Sequence, residues 1–307
     1  MYRKINIRQL SVVFAVLLAV VVLVEWLDSR KGTRTFKNDL VEVNTEEITA
    51  IEIFPKVAAG EKIRLFLENG QWMVESGEEK YMADGNMAGS LLNDLNQATP
   101  ESVVAVSKDR WKNFEVTDSL GTRVKLFKNS ELAAEVIIGK FTFTQQRKMT
   151  SYVRLAGEKE VYGIDGMLGM AFNRNLNSFR SRLVTRSASS NWKRLTYSYP
   201  ADSSFTLEKT AGKWTMDGQP ADSAAVAGYL NDIQNLTDGR FAENKPAMPA
   251  THLLLIEGDN QMEPIEIKGY YQDEENFLLE SSQNRGNFFN SPELAEKIFV
   301  SRTGFLQ

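Results

Sequence analysis

The segment Phe66-Leu67-Glu68-Asn69-Gly70-Gln71-Trp72-Met73-Val74 has a diverged counterpart in Phe205-Thr206-Leu207-Glu208-Lys209-Thr210-Ala211-Gly212-Lys213-Trp214-Thr215-Met216. In each, apolar residues alternate up to a Gly-containing turn, and a tryptophan follows on the returning side. Alternation of period two around such a turn is the pattern of an antiparallel hairpin. A helix is expected after each hairpin. Ala83-Asp84 opens one and Ala221-Asp222 the other, and the two align without gaps at a constant offset of 138 residues. Ala88, Leu91, Leu92 and Leu95 fall on Val226, Tyr229, Leu230 and Ile233, and Asn93-Asp94 on Asn231-Asp232. Spacing by three and four puts those apolar side chains on one stripe. Asp84 and Asp222 stand where a carboxylate accepts from the orphan N–H groups of a first turn. Agreement in residue type, spacing and cap predicts an internal duplication.

The second half of each unit matches more loosely. Val124-Lys125-Leu126-Phe127 and Val136-Ile137-Ile138-Gly139 correspond to Leu253-Leu254-Leu255-Ile256 and Ile265-Glu266-Ile267. Tyr152-Val153-Arg154-Leu155 with Val161-Tyr162 corresponds to Phe277-Leu278-Leu279 with Phe288-Phe289. A short helix follows in both, capped by Asp165 in one and by Ser291 with Pro292 in the other. Phe172 and Phe179 close the first unit, as Phe299 and Phe305 close the second. Trp72 and Trp214 are expected to pack under the amphipathic helices.

Ahead of the duplicated region lies an apolar run, Leu10 to Leu27, in which only Ser11 and Glu25 are polar. As a helix it spans roughly 27 Å, close to a hydrocarbon core of about 30 Å. Val22-Leu23-Val24-Glu25-Trp26 offers no small-x-small cleavage site, which favours a retained anchor over a secretory signal. Arg3, Lys4 and Arg8 precede the run, but Arg30, Lys31, Arg34 and Lys37 follow it, so charge counting does not orient it. A short basic tail ahead of a first apolar helix usually stays in the cytoplasm, which places the rest of the chain outside the inner membrane, in the periplasm. The expected plan is a cytoplasmic tail (1–9), a transmembrane signal anchor (10–27) and a juxtamembrane stalk (28–45). A first α+β repeat (46–182), a Ser/Arg-rich linker (183–194) and a second α+β repeat (195–307) follow. The expected fold class is α+β: an N-terminal transmembrane helix, then two diverged repeats of a mainly antiparallel sheet, each with one covering amphipathic helix and a short terminal helix.

Composition narrows the function. Hydrophobic residues at 42% and charged residues at 25% fit folded domains rather than a disordered chain. The net charge of -4 supplies no basic surface to displace counterions, so nucleic acid is not an expected partner. With no cysteine, disulfides, thiolate metal sites and cysteine nucleophiles are excluded.

The order Gly-x-Trp-x-Val, Ala-Asp plus amphipathic helix, Val-x-Leu with Ile-Gly, Tyr-Val-Arg with Val-Tyr, and Phe-Arg resembles the DUF4340 family, a bacterial domain of unknown function. The resemblance is close over roughly residues 50 to 182 and weaker over 195 to 306. Phe179-Arg180-Ser181-Arg182 stands where the family often ends a unit with a basic pair. Trp111-Lys112-Asn113-Phe114-Glu115-Val116 departs from the Tyr-Gly-Leu stretch common there. These motifs are structural, so the resemblance implies a fold more than an activity. Some members are similar to proteins encoded beside ABC-type exporters of the gliding-motility kind, which implies an accessory role in export or surface assembly.

Candidate chemistry is sparse. The single histidine, His252, lies at the mouth of an apolar strand, and no Gly-x-Ser-x-Gly elbow accompanies it; a strand-edge structural role is favoured. Asp273-Glu274-Glu275 is the densest carboxylate cluster, and its setting reads as a hydrated hairpin loop without the Asp-x-Asp-x-Asp-Gly spacing of a calcium loop. Gly163, Gly166 and Gly169 share a three-residue spacing, but they enter a short helix and read as turn and packing glycines. Arg174, Arg180, Arg182, Arg186, Lys193 and Arg194 surround the linker and read as solvated charges, with binding of an acidic partner or anionic glycan as the alternative.

No catalytic, cofactor-binding or metal-binding residue is therefore assigned, and no cofactor is expected. The leading expectation is a non-catalytic, membrane-anchored envelope protein acting through contacts with a protein partner. The second is a glycan or peptide module using the cleft between the repeats, with Tyr197, Tyr199, Tyr270 and Tyr271 lining it. The third is a carboxylate-based hydrolase, which requires two carboxyl groups facing each other at about 5 to 9.5 Å.

Overall fold

The fold is described from a computed structural model covering Leu18 and residues 39–143, 148–259 and 261–306. The first half contributes β1 (Ala50–Phe54), β2 (Ile63–Glu68), β3 (Gln71–Ser76), β4 (Glu79–Met82), α1 (Gly85–Asn96), β5 (Pro100–Ala105), α2 (Trp111–Phe114), β6 (Thr122–Lys128), β7 (Glu131–Phe143), β8 (Met149–Leu155), β9 (Val161–Asp165) and α3 (Leu168–Phe172). Then come β10 (Leu183–Arg186), β11 (Trp192–Ser198), β12 (Phe205–Thr210), β13 (Lys213–Met216), β14 (Gln219–Pro220), α4 (Ser223–Ile233), β15 (Asn235–Thr237), β16 (His252–Gly258), β17 (Ile265–Tyr271), β18 (Phe277–Ser281), β19 (Phe288–Asn290) and α5 (Pro292–Ile298).

The strands form one sheet ordered β4-β3-β2-β1-β6-β7-β8-β9-β5 and another ordered β14-β13-β12-β11-β16-β17-β18-β19. Apart from β5, the second order repeats the first position by position. Their pairings are antiparallel. The turns explain why. Asn69-Gly70 and Ala211-Gly212 both hold positive φ at two successive residues, the type I′ geometry whose twist suits a two-residue hairpin. The main core lies on one face of the first sheet, with Ile63 and Leu65 alternating inward on β2 and Val124 and Leu126 on β6.

Helices α1 and α4 lie on the cores of their sheets, with the stripes Ala88, Leu91, Leu92, Leu95 and Val226, Tyr229, Leu230, Ile233 buried. The side chain of Asp84 accepts from the N–H of Asn86 and Met87, and that of Asp222 from Ala224 and Ala225. The helices are anchored alike. Ala83 N–H donates to the Trp72 carbonyl and Asp84 N–H to that of Phe179, while Ala221 donates to Trp214 and Asp222 to Phe305. Each sheet has its own apolar core, and a smaller cluster gathers Ala105, Val116, Ile137 and Val161.

Two expectations are corrected. The fold is dominated by antiparallel sheet rather than being an α+β fold headed by a transmembrane helix. Meanders joined by tight turns need no crossover helices, so one substantial helix per half suffices, and the longest helix among the described residues, α1, has 12 residues. Among the described residues no helix is long and apolar enough to cross a membrane. The run 10–27, Leu18 apart, lies outside the described residues, as do the tail 1–9 and residues 28–38 of the expected stalk.

The linker at 183–194 is the second correction. Leu183–Arg186 is strand β10, which pairs with β15 in a two-stranded sheet. Val184, Thr185 and Trp192 are all 0% exposed. Its composition suggested a solvated segment because serine and basic residues are frequent, but β10 is covered on both sides, with Val184 and Thr185 both buried, while Arg186 and Lys193 stay outside. Both tryptophans pack against the cores that the helices cover, to different depths. Trp214 is buried in the second core, whereas Trp72 is half-buried and lies beside Gly85 at the first turn of α1.

Candidate functional site

The deepest concentration of polar groups lies where the two halves meet. Ala83, just past β4, forms an isolated antiparallel bridge with Arg180, which fixes the backbone of Phe179-Arg180-Ser181 against the first sheet. The Arg180 side chain, only 4% exposed, points across to the second half. Its guanidinium lies between the Tyr81 ring, 3.7 Å from the centroid, and the Phe241 ring at 3.9 Å. Nε donates to Asn287 Oδ1 at 2.7 Å and Nη1 to Asn177 Oδ1 at 3.0 Å. Two aromatic faces and two amide oxygens thus stabilise a cation that has left water, and none of these contacts is a carboxylate. Burial lowers the Arg180 pKa from its usual value, yet arginine starts so far above neutrality that the charge is kept.

The network continues through amides. Asn287 Nδ2 donates to the Met82 carbonyl at 3.2 Å and to Asn284 Oδ1 at 2.6 Å. Asn284 Nδ2 donates to the carbonyls of Ser181 and Leu183, both at 2.8 Å. Asn284 and Asn287 are wholly buried, so their bonds to backbone some hundred residues away cannot be exchanged for water. In chemical terms the cluster holds a fixed cation and neutral amides, and it offers neither a nucleophile nor a general base. It joins the halves.

A second buried arginine supports one wall of the first sheet. Arg154 Nε donates to the Val116 carbonyl at 3.1 Å, Nη2 reaches Asp118 Oδ1 at 3.0 Å, and the guanidinium lies 3.8 Å from the Trp111 ring centroid. Trp111 Nε1 in turn donates to the Lys159 carbonyl at 2.9 Å. The stretch that departs from the family's usual pattern therefore anchors the segment between β5 and β6 onto β8.

The residues singled out in the sequence are not brought together. His252 packs among the rings of Tyr199, Phe277 and Phe299, and its Nδ1 shares a 2.9 Å hydrogen bond with Thr251 Oγ1. Burial pushes its pKa below the usual histidine value. Asp273 sits in the β17–β18 turn, where its carboxylate accepts from the N–H of Glu275 and Asn276 and from the Asn276 amide. Gly166 occupies a positive-φ turn, and Gly169 lies on α3 facing the Gly139 carbonyl at ordinary contact distance.

The four tyrosines do not line a cleft. Tyr197 is in the second core, stacked on Phe205 at 4.3 Å. Tyr199 donates to the Val300 carbonyl, Tyr270 to Glu280, and Tyr271 is exposed. Of the linker cations only Arg180 is buried; Arg194 pairs with Glu208 and Lys193 with Asp259. A cavity of about 470 Å³ is lined by Asp94, Glu101 and Asp165 beside α3, but Glu101 is committed to an ion pair with Lys148 at 2.6 Å. Among the described residues no three His, Asp or Glu side chains are grouped as a metal site would need.

The asparagines of the junction carried no signal in the sequence, because an Asn in a polar stretch ordinarily marks a turn. Arg180 was visible as one of several basic residues and as part of the Phe-Arg pattern that closes the first unit, but not as a buried one.

Two antiparallel sheets of matching strand order, fused by a buried arginine–asparagine network, define a tandem-sheet protein. The chain belongs to the family described as Domain of unknown function (DUF4340), whose family model matches residues 72–254. The matched span crosses the junction, from the returning strand of the first hairpin to the first long strand after α4. No curated protein and no solved structure matches the chain.

Proposed function

We propose that this protein is a non-catalytic scaffold of the cell envelope that acts by contacting another protein, as an accessory to an export or surface-assembly machine. The observation that carries the reading is the junction at Arg180. Three buried polar side chains, Arg180, Asn284 and Asn287, are used to fuse the halves. A fused pair of sheets holds its outer faces and edges in fixed relation, and such preorganisation lowers the ordering cost of binding a partner. His252 is taken up in aromatic packing and Asp273 in its turn. The apolar sequence of residues 10–27, with Arg3, Lys4 and Arg8 ahead of it, supports a location at the cytoplasmic membrane with the sheets on its outer side.

The glycan-binding alternative is not favoured, because Tyr197, Tyr199, Tyr270 and Tyr271 do not converge on one groove. Cross-linking in intact cells, followed by purification of the full chain, is the test. Repeated recovery of one partner is expected; recovery of this chain alone at several expression levels would remove the reading.

A further inference from the structure

Strand β7 is longer than its neighbour. It pairs with β6 only as far as Ile138, opposite Thr122, but with β8 as far as Phe143, opposite Met149. Beyond Ile138 no strand pairs with β7 on the β6 side: Gly139 packs against the backbone of Phe114 and Glu115, and the chain turns away at Gly121, whose N–H donates to the Thr117 carbonyl. In an antiparallel edge alternate residues direct N–H and C=O outward, and among the described residues no backbone group bonds to Gly139–Phe143 from that side. Edge strands are usually blunted by proline, bulges or several charges. This one has a register shift between Ile138 and Phe141 and a single charge, Lys140.

A groove of about 340 Å³ occupies the place where β6 would have continued, lined by Leu120 and Phe141 along the edge and by Met170 from α3. Val57 borders it, since its N–H donates to Asn173 in the same wall. Apolar side chains are unusually open here: Phe143 is 67% and Met170 51% exposed. Around the groove Lys56 pairs with Glu115, whereas Lys140 and Arg174 have no carboxylate partner among the described residues.

We propose that Gly139–Phe143 is a docking edge for an extended segment of a partner protein, which enters as the missing continuation of β6. The backbone edge calls for a strand, the groove for apolar residues at every second position, and Lys140 with Arg174 for an acidic residue at the flank. A second copy of this chain suits it less well, since pairing two such edges would bring two sets of unpaired cations together.

The inference rests on the protein-contact reading and names its partner's chemistry. Short random peptides displayed on phage are selected against the purified full-length protein. Enriched sequences are expected to alternate apolar residues with an acidic flank. They should bind about tenfold more weakly to Phe143→Asp or Met170→Glu, as the loss of one anchor implies. Methylating one alternate set of peptide backbone nitrogens should abolish binding, and methylating the other should not. Both side chains are exposed, so the variants should keep the parent's thermal midpoint; should either fail to fold, Lys140→Glu supplies the same readout through the acidic flank. No enrichment, or enriched peptides indifferent to these changes, overturns the proposal. A concentration-dependent dimer that Phe143→Asp dissolves also overturns it, by giving the edge to a second copy. If cellular cross-linking recovers a partner while the peptides fail, the edge assignment falls and the protein-contact reading stands.

Discussion

Arg180 Nε donates to Asn287 Oδ1 at 2.7 Å across 107 residues of chain, so a cation at the end of the first sheet is held by an amide of the second. The bond is buried at both ends, and its neighbours Tyr81 and Phe241 come one from each half. The molecule therefore has two apolar cores and one polar fastening between them.

Removing the amide should loosen that fastening. Asn287→Leu leaves a buried charged donor without its acceptor and is expected to cost about 2 to 3 kcal/mol. Urea unfolding should show this, together with a broadened transition as the halves uncouple. Arg180→Lys should not preserve the parent's stability, because an ammonium cannot reproduce the planar fork between two rings. The double variant Arg180→Met/Asn287→Leu should cost less than the two single losses together.

The tryptophans should separate by burial. Trp192 is 0% exposed and its Nε1 donates to Ser187 Oγ at 3.0 Å. Trp192→Ala is expected to cost about 3 to 5 kcal/mol, and Trp72→Ala clearly less, because that ring is only partly buried. Denaturation midpoints of the two variants provide the comparison.

Two glycines should respond with opposite signs. A Cβ at Gly139 would lie 2.0 Å from the Phe114 carbonyl oxygen, a backbone atom that cannot step aside. Gly139→Ala should therefore destabilise by at least about 1 to 3 kcal/mol. Gly228 lies inside α4 with nothing within 4 Å of the added methyl, and Gly228→Ala should stabilise by about 0.5 to 1 kcal/mol. Thermal melts of both variants report the signs.

Acid should weaken the second half through His252. Burial depresses its folded-state pKa below the ordinary 6.5, so the unfolded chain binds the proton more readily. Its contribution is complete above the unfolded value and is lost as pH falls through the folded one. His252→Phe, placed among Tyr199, Phe277 and Phe299, should flatten this part of the pH dependence. Urea midpoints between about pH 7.5 and pH 5 measure it, since an unperturbed histidine titrates inside that window. An unchanged slope in the variant would assign the acid sensitivity to other groups.

Local features of the fold were legible in the sequence. Asn69-Gly70 and Ala211-Gly212 specify their turns through backbone conformation alone, and Asp84 and Asp222 accept the N–H bonds that their positions implied. The helix stripes are buried as their spacing indicates. Such features depend on residues within one or two turns of each other, so a single pass along the chain reveals them. Segment 183–194 was misread because its composition is polar; its strand exists only once Asn235–Thr237 lies alongside. The open edge of β7 was equally invisible, since nothing in Gly139–Phe143 tells how far β6 will accompany it.

By itself the amino-acid sequence determined the hairpins, the capped amphipathic helices and the family, because periodicity and turn chemistry are short-range properties. Tertiary structure alone decided that the halves are fused through Arg180, Asn284 and Asn287, and that Tyr197 and Trp192 are core residues. Each of those outcomes depends on which distant residue arrives opposite. A buried polar group gains its meaning from a partner about a hundred positions away, and no local pattern encodes that partner.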